Sequence, residues 1–200
     1  MEEREVAEAL ARHLRERYQC DLFHRRGVNV AKVPGVFPTQ PEVDLVLYCR
    51  EGMRLKPPII ATEIKYIRGT PSGMSWSYYS GLDEAIALLL LGFDYVLLVH
   101  IIDEIALKTR YLEYAKALSG LIQRLGVPVG YRVYASTRVD GTISIYRMLE
   151  IGDTGHFIDL KDFWVDPRPN LLLELDDELG KRARANRSLI LEYLSRGRPR

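Results

Sequence analysis

The chain has only two cysteines, Cys20 and Cys49. That number excludes a disulfide scaffold, their separation offers no metal-ligand spacing, and both read as buried thiols. Its four histidines, His13, His24, His100 and His156, are scattered, and none has the H-x-x-x-H or C-x-x-C companion that zinc requires. Long hydrophobic runs are missing as well. The apolar stretch from Ala85 to Ile102 is broken by Gly92 and Asp94, so it reads as a helix followed by a strand and not as a membrane span. Met1-Glu2-Glu3-Arg4-Glu5 lacks the basic and apolar regions of a signal peptide, which predicts a cytoplasmic protein. There is no internal repeat and no low-complexity tract. Gln and Asn are scarce while Arg and Glu are plentiful, a composition suited to a thermophile.

Neither sign of charge is in excess, with 28 basic and 27 acidic residues and a net charge of +1. The overall balance therefore does not advertise a polyanionic partner, although its distribution is uneven. From Gly180 to Arg200 seven basic residues, including Lys181, Arg182 and Arg184, face the single acid Glu192. Such a segment gains from counterion release on a phosphate backbone; the alternative is a solvated helix face and a frayed tail. Two hundred residues that are 47% hydrophobic and 28% charged suit one domain with a substantial core.

Hydropathy periodicity gives an order of elements. Val6, Leu10, Leu14 and Tyr18 form the buried stripe of a helix from Glu2 to Tyr18. Strands follow at 20–26, 43–49 and 59–66, with 50–58 as a tight turn that makes the last two antiparallel. A helix over 77–91 is stopped by Gly92, and a fully buried strand follows at 93–102. The crossover between strands 59–66 and 93–102 predicts a parallel pair. A helix at 104–125, a hairpin around Val139-Asp140-Gly141, an irregular stretch at 150–170 and a closing helix at 179–194 complete the chain. The fold class is α/β, with a mixed central sheet flanked by helices and a C-terminal hairpin and helix.

Two strands carry charge into otherwise apolar runs: Pro41-Glu42-Val43-Asp44-Leu45-Val46-Leu47-Tyr48 and Ile59-Ile60-Ala61-Thr62-Glu63-Ile64-Lys65-Tyr66. A strand alternates its faces, so Glu63 and Lys65 point one way and Ile64 the other. If the strands pair with Asp44 beside Glu63, two carboxylates and an ammonium converge, which is a magnesium-type site with a water-handling group. The alternative is a cross-strand ion-pair network on an exposed face.

Asp44, Glu63 and Lys65 in this setting resemble the acid, acid and lysine of the PD-(D/E)XK nuclease superfamily, the restriction endonuclease-like proteins. Pro41 stands three residues before Asp44 instead of beside it. The resemblance extends to the α-β-β-β-α-β order and covers about the first three quarters of the chain, which implies a nuclease-like core over 1–150 and a C-terminal extension with a basic helix over 151–200, within a single domain. It implies Mg²⁺ or Mn²⁺ held by Asp44, Glu63 and the backbone carbonyl of Ile64, with Lys65 orienting or deprotonating the attacking water. It further implies that Glu5 on the first helix leans over the metal, with Glu8 and Glu2 behind it. Ser77 or Tyr79 would touch substrate phosphate, and Arg25, Arg26 and Lys181, Arg182 and Arg184 would guide nucleic acid, DNA first. A homodimer is the expected assembly, because many resembled nucleases cut two strands with two subunits. An inactive nucleic-acid-binding or protein-interaction module of the same fold is the alternative.

Overall fold

A computed structural model describes residues 2–18, 22–36, 42–51, 54–68, 80–103, 110–151 and 155–196. Helix α1 (Glu2–Tyr18) is followed by strands β1 (Leu22–Asn29), β2 (Glu42–Glu51) and β3 (Arg54–Ile67), helix α2 (Leu82–Leu90) and strand β4 (Tyr95–Asp103). Then come α3 (Arg110–Leu125), β5 (Val129–Val139), β6 (Thr142–Tyr146), β7 (Met148–Ile151), β8 (His156–Asp159) and α4 (Glu178–Arg196). The six strands β1 to β6 form one mixed sheet in sequential order. Pairing is antiparallel from β1 through β3, parallel from β3 through β5, and antiparallel again at β6.

Several boundaries differ from the sequence expectation: the helix expected over 77–91 starts only at Leu82, because Gly81 at φ +82° is outside helical geometry, and two further differences have physical reasons. The stretch 50–58 is not a turn throughout, because β3 starts at Arg54. Its prolines, Pro57 and Pro58, lack ladder donors and coincide with a register shift between Leu47 and Cys49, so the sheet absorbs them as a bulge. The stretch 150–170 is not wholly irregular, because β7 and β8 pair as a separate hairpin. Cys49 is only half-buried, while Cys20 lies outside the described residues.

Alternation divides the core into two layers. Val46, Ala61, Val96, Leu98, Tyr131 and Val133 face one side of the sheet, where they meet Ala85 and Leu88 of α2, Leu118 of α3 and Ile190 of α4. Leu45, Leu47, Ile64, Val99 and Tyr134 face the other, against Val6, Ala7 and Leu10 of α1. Helix α1 thus lies on the side opposite α2.

The C-terminal segment is bound into the sheet by polar contacts at the end of α2, whose last carbonyls have no partner within the helix. Asn170 donates from Nδ2 to the carbonyls of Leu89 and Phe93, both at 2.9 Å. Asn186 of α4 donates to the Leu90 carbonyl at 2.9 Å. Gly92 ends the helix where the sequence predicts, and it has a second reason to be glycine: a Cβ there would stand 2.2 Å from the Ala183 carbonyl of α4. Asp94 completes the clasp, accepting from the Ile59 N–H at 2.8 Å and pairing with the Arg187 guanidinium at 2.9 Å. Asp94→Ala is expected to destabilise the protein by about 2 to 4 kcal/mol, because it leaves a half-buried guanidinium and a strand N–H without their acceptor. Urea unfolding checks this, and a loss below about 1 kcal/mol would show that the clasp is peripheral.

Candidate active site

The site forms where β2 and β3 reach the end of their shared ladder. The last rung is Leu45 with Thr62, so the next residues on each strand are Asp44 and Glu63. Beyond that rung the Ile64 N–H donates to Asp44 Oδ2 at 2.7 Å, which draws the carboxylate across to β3. Glu63 and Lys65 share the α2 side of β3, and Lys65 Nζ lies 2.8 Å from Glu63 Oε1. Asp44, Glu63 and Lys65 are therefore brought together on one face.

A third carboxylate joins them. Glu84, in the first turn of α2, forms an ion pair with Lys65 Nζ. An acid in a helical first turn is ordinarily explained by the helix dipole, so only the packing of α2 over β3 reveals its partner.

Burial sets the protonation of this cluster. Glu63 is 2% exposed. Desolvation, the nearby charge of Asp44 and a hydrogen bond with Glu84 push its pKa up to about 8, against the opposing pull of Lys65. At neutral pH Glu63 is a carboxylic acid and donates to Glu84, whose pKa is lowered despite partial burial by the bonds from Glu63 and Lys65. For Lys65, burial works against the charge, yet the bonds to Glu63 and Glu84 prevail and hold it above its ordinary range. An ammonium has three donors and no acceptor. In this arrangement Lys65 is a fixed positive charge with hydrogens to donate and no lone pair to accept a proton.

The oxygen donors of Asp44, Glu63 and the Ile64 carbonyl suit a hard cation such as Mg²⁺ or Mn²⁺. An ionised Glu63 would be repelled by Asp44, and a divalent ion between them would relieve that repulsion. Among the described residues no group of three or more His, Cys, Asp or Glu is assembled as a ready metal cage. The candidate set is two carboxylates and one carbonyl.

Of the remaining expected residues, some fall elsewhere and others lie outside the described set. Glu5 is not brought to the triplet: α1 packs on the other face of the sheet, and the exposed Glu5 carboxylate pairs with Arg138 of β5 at 3.0 Å. Glu8 is exposed on the same helix. Ser77 and Tyr79 lie outside the described residues. Arg25 and Arg26 sit on β1 opposite Val46 and Leu45, with side chains outside the described set. Arg184 donates to the Leu173 and Leu175 carbonyls, and the exposed Lys181 pairs with Glu178 at 2.9 Å. Both belong, with the exposed Arg182, to the part of α4 that crosses Gly92. That is the end of α2 away from Glu84, so this basic segment does not adjoin the triplet. No protein-family model, curated protein or solved structure matches the chain. No helix among the described residues is long and apolar enough to cross a membrane.

Proposed function

We propose that the chain is a metal-dependent nuclease of the PD-(D/E)XK type, hydrolysing phosphodiester bonds in DNA, with a restriction endonuclease-like arrangement of α1, β1 to β3, α2 and β4. The observation that carries this reading is the convergence of Asp44, Glu63 and Lys65 on one face at the last rung between β2 and β3. A Mg²⁺ or Mn²⁺ ion held by Asp44, Glu63 and the Ile64 carbonyl would neutralise the phosphate and lower the pKa of a bound water. Glu63 must surrender its proton before it can serve as a ligand. Lys65 contributes a fixed positive charge beside the reacting phosphate and a hydrogen-bond donor to the attacking water. Glu84 holds that ammonium in place together with Glu63.

The direct test is incubation with plasmid, single-stranded and branched DNA in Mg²⁺ or Mn²⁺, with Asp44→Asn and Lys65→Ala as controls. Cleavage by the wild type that both substitutions remove supports the assignment, and cleavage that survives them sinks it. Because a proton on Glu63 competes with the ion, Mn²⁺ affinity is expected to rise with pH, by up to about tenfold per unit, and to level off above about 8. Titration calorimetry at several pH values measures this, and pH-independent binding would place the ion away from Glu63.

One observation favours a second reading, a nucleic-acid-binding module without turnover: Glu63, Lys65 and Glu84 already satisfy one another. That reading requires salt-dependent DNA binding with no cleavage under any divalent ion.

A further inference from the structure

A histidine in the middle of a buried strand needs partners, and His100 finds them in a carbonyl and two hydroxyls. It lies abreast of Lys65 in the parallel β3–β4 register and is 1% exposed. Its Nε2 is 3.1 Å from the Ser80 carbonyl. A carbonyl can only accept, so Nε2 carries the hydrogen and Nδ1 is left as an acceptor. Two tyrosine hydroxyls meet it there, Tyr111 of α3 and Tyr131 of β5, each at 2.9 Å from Nδ1 and 3.3 Å from one another. Desolvation drives the imidazole pKa down to about 4, so the ring is neutral throughout the physiological range and this bonding pattern persists.

The Ser80 carbonyl belongs to the turn that starts α2. Gly81 has φ +82°, and its carbonyl accepts the first helical bond, from Ala85 N–H at 2.8 Å. The same residue presses on the catalytic lysine: a Cβ built there would stand 2.9 Å from Lys65 Cγ and 3.0 Å from its Cε. Glu84, which meets the ammonium, lies three residues further on. The methylenes and the charged head of Lys65 are thus both set by where Ser80 and Gly81 sit.

We infer that His100 is a positioning residue for Lys65: braced by the Tyr111 and Tyr131 hydroxyls, it anchors the Ser80 carbonyl and so fixes the Ser80–Gly81 turn and Glu84 against the lysine. Its consequence for turnover rests on the nuclease reading; its effect on Lys65 does not. A misplacement of a catalytic group by about 1 Å lowers turnover on the order of a hundredfold while leaving substrate binding largely intact.

The experiment has two arms. In the first, the side-chain ammonium resonance of Lys65 is recorded in ¹⁵N-labelled full-length protein without metal or DNA, assigned by its loss in Lys65→Met. A slowly exchanging signal is expected in the wild type, its loss in His100→Leu, and its return in His100→Gln, whose amide can donate to Ser80 as Nε2 does. Gly81→Ala, whose added Cβ would meet Lys65 Cγ directly, is expected to lose the signal and marks the displaced lysine, while His100→Met, of similar size and also without a donor, serves if His100→Leu does not fold. An unchanged signal in a folded His100→Leu or His100→Met, or no rescue by a folded His100→Gln, overturns the proposal. In the second arm, kcat falls about a hundredfold in His100→Leu and recovers in His100→Gln, with KM within about twofold in both. A wild type that does not cleave DNA would refute the nuclease reading and leave the first arm to decide this one.

Discussion

Replacing Glu63 by glutamine is expected to reduce Mg²⁺-dependent DNA cleavage by about 10³-fold or more while leaving the protein folded. At neutral pH the wild-type side chain is already a neutral acid, with its pKa pushed up to about 8. Glutamine reproduces that state in shape and hydrogen bonding, since its amide nitrogen donates to Glu84 and its carbonyl accepts from Lys65. What it cannot do is become an anion, and so it cannot join Asp44 in holding a divalent ion. The substitution therefore separates the proposed ligand role of Glu63 from its packing role, which Glu63→Ala would confound by opening a cavity beside a buried ammonium. Cleavage rates read beside a thermal melt decide the matter. A folded variant that retains more than about a tenth of wild-type activity would exclude Glu63 as a metal ligand.

The same substitution is expected to stabilise the protein at alkaline pH. The folded pKa of Glu63, about 8, lies above its ordinary value of 4.5. The folded state consequently holds this proton more tightly than the unfolded chain does. The stabilising contribution is complete below about pH 4.5 and is lost progressively as pH rises through 8. The full span is on the order of 3 to 5 kcal/mol for a group this deeply buried. Glutamine does not titrate, so the stability difference between Glu63→Gln and wild type should grow in favour of the variant from pH 4.5 to above 8. Urea midpoints for both proteins across that range measure it, and taking the difference removes the slopes of the other carboxylates. A difference that stays flat with pH would mean that Glu63 is ionised in the folded protein. These two results also bear on each other, because the instability of an anionic Glu63 without a cation is the same free energy that favours metal binding.

Glu63 and Lys65 were legible as a pair because they stand two apart in a strand whose other residues are apolar, and the period of two needs nothing beyond the strand itself. Helix α1 was legible to its ends, and so was the glycine that stops α2, because capping and periodicity are also local. Glu84 and His100 escaped notice. Glu84 looks like any acid at a helix start, and its meaning comes from α2 lying across β3. The one available signal for His100 was a polar residue inside the apolar run of β4, and what it binds comes from α3, β5 and the turn before α2. Glu5 was misplaced because periodicity tells which side of a helix is buried but not which side of the sheet receives it. The partner of one arginine in the basic C-terminal segment was hidden for a related reason. A charge count cannot tell a guanidinium in water from one like Arg187, held by Asp94 some ninety residues earlier.

By itself the sequence determined the α/β class, the order of the first elements and the shared orientation of Glu63 and Lys65, all consequences of interactions between residues a few positions apart. The tertiary structure alone decided that Asp44 stands beside Glu63, that α2 brings Glu84 to the lysine while α1 takes the far face, and that Arg187 of α4 pairs with Asp94. Each of these depends on register and layer choice, which are fixed by the burial of whole faces against one another and have no local signature in the chain.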